Sequence, residues 1–507
     1  MSVGERIGSR TGAALRAAVA AYVTRGLSLL LGLVVTPVVL ASIGRETYGY
    51  WVIVGSVIGY VGMVDFGITG SVATLIAREQ RDPASVSRIV TNALLALSGA
   101  GLLAVVLAFC AALLAPAVLR LEPDSIGLVR ALIVLAGLGL GLSFPVRALK
   151  AAFRGTQRIA LLRIVEFILS LFRIGLLLLL LHVGAGVFAL PWSTVAASVL
   201  STVVFLWLAK GQIRGLRLAR DLLASGEVRR ILGVSAWWFL GSLGALFIYQ
   251  TDNIVVGRYL GPVAVTAYAL THRLPELVRG QLYQLNLAIS PGIGDLVGRG
   301  EVEKLREIFP AALRIILFLG ISAAALIIVL NRPFVTLWVG KENYAGDRLT
   351  LIFSLTLVYL LVFHTSSIIL TNHLDLKVLA TTRFVEGVLN LGLSLLLVGT
   401  FGTVGVAAAT LIAGLATSGW FLLARAFRVM GVSPAAALGR IGVPTAIFCL
   451  VAVVTVTLAP ELSDASWPRV LTVGGILGLW LAAMGWIVLL PRQFILQRVR
   501  RTAGMPT

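Results

Sequence analysis

Charge is scarce in this chain. Of its 507 residues only 13% are Asp, Glu, Lys or Arg, against about 25% in a soluble domain. So few charges cannot cover a water-exposed surface of this size, which excludes an ordinary soluble protein. Acidic residues are scarcer than basic ones, 22 against 42. Cysteine is scarcer still: Cys110 and Cys449 both lie in apolar stretches, which argues against a disulfide framework or a thiolate metal site. There is no G-x-x-x-x-G-K-[ST] loop for ATP hydrolysis, no H-E-x-x-H or paired-cysteine spacing, and no G-x-S-x-G elbow. Gly137, Gly139 and Gly141 imitate a phosphate loop, but they sit inside an apolar run, where close helix packing is the better reading. No catalytic set, metal or cofactor is expected.

What is abundant is apolar sequence: 58% of residues are hydrophobic and the mean hydropathy is +0.98. Runs near 20 residues recur, each able to cross roughly 30 Å of hydrocarbon. They predict an all-α integral membrane protein of about 14 helices, at 17–42, 48–73, 89–115, 128–147, 159–183, 187–209, 235–258, 262–290, 309–330, 349–372, 378–399, 403–427, 441–459 and 470–490. The first run is too long for a signal peptide and is kept as a span. Pro37, Pro145, Pro191, Pro275 and Pro444 interrupt spans, as membrane helices tolerate.

The net charge of +20 in a soluble protein would suggest nucleic acid. Here it reads as basic loops held on the cytoplasmic side, about 27 basic residues inside against about 8 outside. Both termini are then cytoplasmic in a bacterial inner membrane. The richest inner loop, 210–234, alternates Arg214, Arg217, Arg220, Arg229 and Arg230 with Ile213, Leu216, Leu218, Leu222 and Leu223. That pattern suits an amphipathic helix lying on anionic lipid.

The halves repeat. Tyr50 and Tyr268 are 218 positions apart, as are Arg81 and Arg299, and Arg88 and Arg306. Arg163-Ile-Val-Glu166 recurs as Arg383-Phe-Val-Glu386, and Gly186-Val187 as Gly405-Val406. Six spans per unit is an even number, so the repeat is parallel, a transporter architecture. The expected organisation is an N-lobe over 1–209, the linker 210–234, a C-lobe over 235–428, and helices 13 and 14 with a basic tail over 429–507.

Charges inside spans carry the functional argument, since each costs about 3 kcal/mol or more at mid-bilayer unless compensated. Arg25 stands near the inner boundary, where snorkelling is an alternative. Asp65 lies in span 2, Arg173 in span 5 and Asp252 in span 7. His272, Glu276 and Arg279 share one face of span 8, which also carries Arg273. A self-neutralised cluster and a basic cavity wall are both open for it. The pairs Arg163/Glu166 and Arg383/Glu386, each i,i+3, read first as structural charge pairs. The deep residues are net basic, and guanidinium forks suit phosphate. An anionic substrate, a phosphate or diphosphate, is expected.

Thr36-Pro37 with Ile43-Gly44-Arg45-Glu46-Thr47-Tyr48-Gly49, Asp65-Phe66-Gly67, Thr251-Asp252, Leu260-Gly261 with Tyr268, Ser290-Pro291, and Gly402 to Ala407 together carry a family likeness. The chain resembles, over roughly 20–430, the polysaccharide (O-antigen-type) flippases of the multidrug/oligosaccharidyl-lipid/polysaccharide exporter superfamily. The resemblance implies a lipid-linked oligosaccharide on undecaprenyl diphosphate, moved to the outer leaflet by alternating access. It implies a diphosphate site at Arg25, Arg273 and Arg279, with Arg173 and His272 on the cavity wall, and a coupling cation at Asp65, Asp252 or Glu276. Membrane lipids, and a polysaccharide polymerase or assembly protein, would be its partners. The rival readings are a lipid II flippase, a drug/cation antiporter of the same superfamily, and a non-transporting scaffold of an envelope assembly complex.

The orientation has a direct test. A green fluorescent protein fused after Thr507 is expected to fluoresce, and alkaline phosphatase fused after Glu342 to be active. The reverse pattern would overturn the topology.

Overall fold

The computed structural model describes residues 26–27, 30–213, 215–233, 236–373, 375–462 and 466–489. Helices make up nearly all of them, and no strand occurs among the described residues. The chain divides into two compact units, Met1–Ser242 with Gly261–Val263, and Leu243–Leu260 with Ala264–Thr507.

The first unit contains α1 (Leu30–Ile43), α2 (Arg45–Val61), α3 (Ile68–Glu79), α4 (Pro83–Leu119), α5 (Pro123–Gly155), α6 (Ile159–His182), α7 (Ala189–Gln212), α8 (Ser225–Gly233) and the start of α9 (Ala236–Tyr249). Its centre is the α4–α5 pair, built on small residues. Ala104, Ala108, Ala112 and Ala115 line the buried face of α4. A Cβ on Gly101 would stand 2.5 Å from the Gly141 carbonyl oxygen, and one on Gly137 2.1 Å from the Ala108 methyl. Lipid offers no hydrophobic drive between helices, so close backbone approach and van der Waals contact hold them together. The glycine series 137, 139, 141 is therefore a packing surface, as expected.

The second unit continues with α10 (Thr251–Leu260), α11 (Pro262–Gly298), α12 (Val302–Val339), α13 (Asp347–Asn372), α14 (Leu376–Gly414), a π-helical turn at Leu415–Gly419, α15 (Trp420–Val429), α16 (Pro434–Thr457) and α17 (Trp467–Val488). Side-chain hydrogen bonds tie its helices. Asn331 Nδ2 donates to the Thr271 carbonyl at 2.9 Å and to Thr350 Oγ1 at 3.0 Å, joining α12 to α11 and α13. Thr365 Oγ1 donates to Asn286 Oδ1 at 2.9 Å.

Where fourteen spans were expected, ten helices among the described residues meet a membrane-crossing standard of length and apolarity outright. Leu376–Val429 joins two expected spans in one 54-residue stretch, kinked at Gly402 (φ 58°, ψ −139°). Helices α1 and α16 have shorter apolar stretches, and α11 falls below the standard through its charged and amide residues.

Two expected spans are interrupted. Span 48–73 breaks at Gly62–Gly67, where Phe66 and Gly67 take left-handed backbone. Span 235–258 breaks at Gln250, between α9 and α10. The linker also differs from a continuous amphipathic helix. Gly215 has φ 69°, and the segment is tied to α4 instead. Arg217 N–H donates to Ser87 Oγ at 3.0 Å, Ala224 N–H to Asn92 Oδ1 at 2.9 Å, and Asn92 Nδ2 to the Leu222 carbonyl at 2.9 Å. Those bonds satisfy the backbone groups that a helix would have satisfied. Arg214 lies outside the described residues, as does the basic tail from Pro491 onward.

The repeat is written in the backbone. Residues with positive φ recur at matching places: Gly44 with Gly261, Arg120 with Gly340, Gly184 with Gly402, and Gly215 with Gly431. Helix lengths follow, with α4 of 37 residues answered by α12 of 38.

Two outcomes are expected. Gly101→Val forces a branched side chain onto the α5 backbone, at a cost of about 1–3 kcal/mol or more; a lower unfolding temperature in detergent checks it, with Gly99→Val, in open space, as control. Outside the membrane, the Arg230 guanidinium and the Ser85 hydroxyl hold the Glu79 carboxyl below its usual range. A depressed carboxylate stabilises above its unfolded pKa, and that contribution is lost as pH falls through the folded value. Hydrogen exchange in 215–233 should therefore speed up on acidification below about pH 4, and should do so less in Glu79→Gln.

Candidate functional site

Charge and polarity concentrate inside the second unit. Asp252 enters in the first turn of α10, immediately after the break at Gln250. Its Oδ2 accepts from Tyr268 Oη at 2.8 Å and from Thr410 Oγ1 at 3.3 Å. Thr410 Oγ1 also lies 3.1 Å from Asn390 Oδ1, and Asn390 Nδ2 donates to the Phe247 carbonyl at 3.1 Å. The other carboxylate oxygen, Oδ1, is buried and has no hydrogen-bond partner. No cation stands within 4 Å of this carboxylate among the described ion pairs. Asp252 is thus a buried carboxyl met only by neutral groups. It borders a cavity of about 60 Å³ shared with Tyr249, Tyr268, His272, Arg279 and Phe353. A water needs about 10–15 Å³ of such space, so the cavity is roomy enough for a small hydrated ion.

Arg279 lines the same cavity. Its guanidinium lies 5.1 Å from the centre of the Tyr249 ring and makes no ion pair among the described residues. Arg273 reaches Glu276 at 3.5 Å, so Glu276 serves Arg273. His272 packs on Phe353, ring centres 4.3 Å apart. The α11 cluster is therefore half neutralised: Arg273 has its anion and Arg279 has none.

The Arg383/Glu386 pair of α14 is fully internal. Arg383 Nη1 donates to Glu386 Oε1 at 2.8 Å and Nη2 to Tyr249 Oη at 3.0 Å. Tyr359 Oη donates to Glu386 Oε1 at 2.7 Å, and Ser418 Oγ to Oε2 at 2.5 Å. The side chains are 6% and 1% exposed, so every lone pair must be answered. The backbone permits this. A Cβ on Gly244 would fall 2.4 Å from the Arg383 carbonyl oxygen, and one on Gly387 2.7 Å from that of Gly244, so α9 and α14 touch through glycine. The π-helical turn carries Ser418.

The first unit holds the remaining expected residues. Asp65 Oδ1 accepts from the Thr69 N–H at 3.1 Å and from Thr69 Oγ1 at 3.0 Å, capping α3, while Oδ2 meets Arg147 at 3.6 Å. Arg163 pairs with Glu166 at 3.1 Å, and Lys150 reaches the same carboxylate at 3.3 Å. Arg173 is exposed on α6 with no ion pair among the described residues. Arg25 lies outside the described residues. The partners Tyr249, Tyr359, Thr410, Ser418 and Arg147 were not singled out as site residues from sequence. They come from helices distant in the chain, and only Arg147 leaves a sequence signal, a charge inside an apolar run.

A family model described as polysaccharide biosynthesis protein matches residues 15–296, more than half of the chain. The chain belongs to the polysaccharide biosynthesis protein family. A second model, MatE, matches 239–396. The uncharacterized membrane protein EpsK of Bacillus subtilis is 22% identical over 488 residues, covering 94% of this chain and 96% of that one. Among solved structures, the lipid II flippase MurJ in an inward closed conformation superposes with a TM-score of 0.68 at 16% identity, covering 94% of this chain and 99% of that one. An inward-facing multidrug resistance MATE family transporter of the MOP superfamily gives a TM-score of 0.68 at 16% identity, over 80% and 94%. A MOP superfamily transporter from Pyrococcus furiosus, described as having a binding pocket of reverse polarity, gives 0.59 at 15%, over 83% and 95%. This polysaccharide biosynthesis family member is therefore a multi-pass membrane protein with the MATE/MurJ-like fold.

For the internal pair, removing one partner strands a buried charge at a cost of about 3–5 kcal/mol. Glu386→Leu is expected to lower the unfolding temperature in detergent sharply. The double variant Arg383→Met/Glu386→Leu should recover part of the loss, since Tyr359 and Ser418 still lose their acceptor. A double variant no better than the single one would contradict the pairing.

Proposed function

We propose that this protein flips an undecaprenyl-diphosphate-linked oligosaccharide from the cytoplasmic to the outer leaflet of the bacterial inner membrane by alternating access, for cell-surface polysaccharide synthesis. The observation that carries the proposal is the uncompensated Arg279 on the wall of the Asp252 cavity. An unpaired guanidinium in a membrane interior is costly unless an anion or water meets it, and its planar fork matches phosphate. Arg273, with one carboxylate already bound, would add to the anion's charge balance, and His272 shares the cavity wall with Arg279; Arg25 and Arg173 are the substrate-binding candidates of the first unit. The family's polysaccharide role and the MurJ-like fold support a lipid-linked substrate. A drug/cation antiporter would want surplus negative charge where Arg279 stands.

Asp252 is the coupling residue in this scheme. A carboxyl met by neutral groups, Tyr268 and Thr410 among them, with one bare oxygen, favours a bound proton or monovalent cation. The hard oxygens of Asn390 and Thr410 suit an alkali ion. Asp65 and Glu276 are weaker candidates, because Asp65 already has Thr69 and Arg147 and Glu276 has Arg273.

The deciding experiment is complementation of a flippase-deficient strain at matched expression. Arg279→Ala is expected to lower glycan export about tenfold or more, the loss of a charge-assisted phosphate contact of about 1.5–3 kcal/mol. Arg273→Ala and Arg25→Ala should have smaller effects in the same direction. Normal export by all three would sink the anionic-cavity reading. Asp252→Asn should abolish the dependence of transport on an imposed cation or proton gradient while leaving binding of a lipid diphosphate intact; unchanged gradient dependence would remove Asp252 from coupling.

A further inference from the structure

A second cavity in the same unit has a different character. It is an apolar groove of about 830 Å³ among α12, α13, the end of α14 and α16, lined by Ile321, Ile328, Leu355, Val358 and Val453 among others, with Tyr359 on its wall. Asp347 and Arg348 stand at one end. There it meets a smaller polar pocket of about 200 Å³ that includes Arg332, Asp347 and Glu461. Ile328, Asp347 and Val456 line both. The two form one amphipathic site, a polar head pocket opening into an apolar trough.

Its dimensions match one leaflet. From Arg348 to Val362 along α13 the groove runs about 21 Å at 1.5 Å per residue. Half of a bilayer with its headgroups is about 20–22 Å. A lipid whose head is held at Arg348 would therefore lay its chain along the groove as far as the bilayer midplane. The leucines of the rim, Leu351 and Leu355, are 44% and 45% exposed, so the trough opens on the lipid side of the helices.

Charge selects the head. Asp347 is committed to Arg332, which it holds through both oxygens, and it accepts from Tyr344 Oη at 2.7 Å. Arg348 is exposed and has no ion pair among the described residues. Of the two cations in the linings, Arg332 is held by Asp347, so Arg348 is the one left for a phosphate among the described residues. We infer that this groove binds a singly charged anionic phospholipid, phosphatidylglycerol in type, with its phosphate at Arg348 and an acyl chain in the apolar trough. The site is separate from the Asp252 cavity and stands whether or not the chain is a flippase.

The test uses the full chain in nanodiscs and native mass spectrometry of the released protein. Dioleoyl phosphatidylglycerol, dioleoyl phosphatidylethanolamine and undecaprenyl phosphate are offered at equal concentration. Wild type should retain phosphatidylglycerol in preference to both others. Arg348→Ala should weaken that retention about fivefold, the value of one basic residue near an anionic surface. Leu355→Trp, which fills the trough from an exposed position, should reduce retention of phosphatidylglycerol and phosphatidylethanolamine alike, with an unfolding temperature near wild type. Equal retention of the two phospholipids, or an Arg348→Ala variant that retains as well as wild type, overturns the proposal. Displacement of phosphatidylglycerol by undecaprenyl phosphate overturns it too, by assigning the trough to a polyprenyl chain.

Discussion

A guanidinium in hydrocarbon must have an anion, and the interior of the second unit is organised by that requirement. Arg383 meets it completely. Its carboxylate partner, two hydroxyl donors to that carboxylate and a phenol oxygen form a closed set across α9, α13, α14 and the π-helical turn. The set is possible only because glycines at 244 and 387 let two backbones touch. With its own needs met, the pair leaves nothing over for a ligand. It fixes Tyr249 and Tyr359, and these two rings in turn face the two cavities: Tyr249 borders the Asp252 cavity and Tyr359 the apolar trough. A structural ion pair thereby sets the walls of both.

Against that closed set, the open valences stand out. Asp252 has one bare oxygen, and Arg279 has a ring face in place of a carboxylate. They are opposite charges on the wall of one small cavity that do not neutralise each other directly. Such an arrangement is costly in a static bundle and useful in a carrier, where a proton or cation on one side and an anion on the other can change partners in sequence. Glu276 illustrates the contrast. It stands on the same helix as Arg279 but is spent on Arg273, three residues away, as helix geometry favours.

The sequence disclosed much of this and withheld a definite part. Helical crossings follow from apolar runs and were legible, α11 included, despite the polarity that lowers its hydropathy; the breaks at 62–67 and 250 were not. The first break is made by Phe66 and Gly67 in left-handed backbone and the cap at Asp65, local features inside a run that reads as continuous. Arg383/Glu386 and Asp252 were legible as charges in spans. Their partners Tyr359, Ser418 and Thr410 were not, because hydroxyls are common in membrane helices and only packing says which ones converge. The linker shows the opposite failure. Its alternation of arginine and leucine is real, but Ser87 and Asn92 on α4 capture its backbone, and neither residue carries a signal that it would.

The duplicated halves make the same point more sharply. Matching positive-φ residues show that the two units inherited one backbone register. Yet the repeated Arg-x-x-Glu motif has opposite surroundings: Arg163 is exposed, with Lys150 sharing its carboxylate, whereas Arg383 is sealed inside. The difference cannot come from the motif, which is the same in both. It comes from what packs on it, Tyr249 and Tyr359 in the second half. Tyr50 and Tyr268 diverge likewise: the first donates to Ser125 at 2.8 Å, the second to Asp252. In each case the copy in the second unit belongs to a buried network around a carboxyl, Glu386 for Arg383 and Asp252 for Tyr268. A duplicated scaffold therefore keeps its turns and helix lengths, which every copy needs to fold. It concentrates its buried charge chemistry in one half, where a single set of ionisable groups is enough.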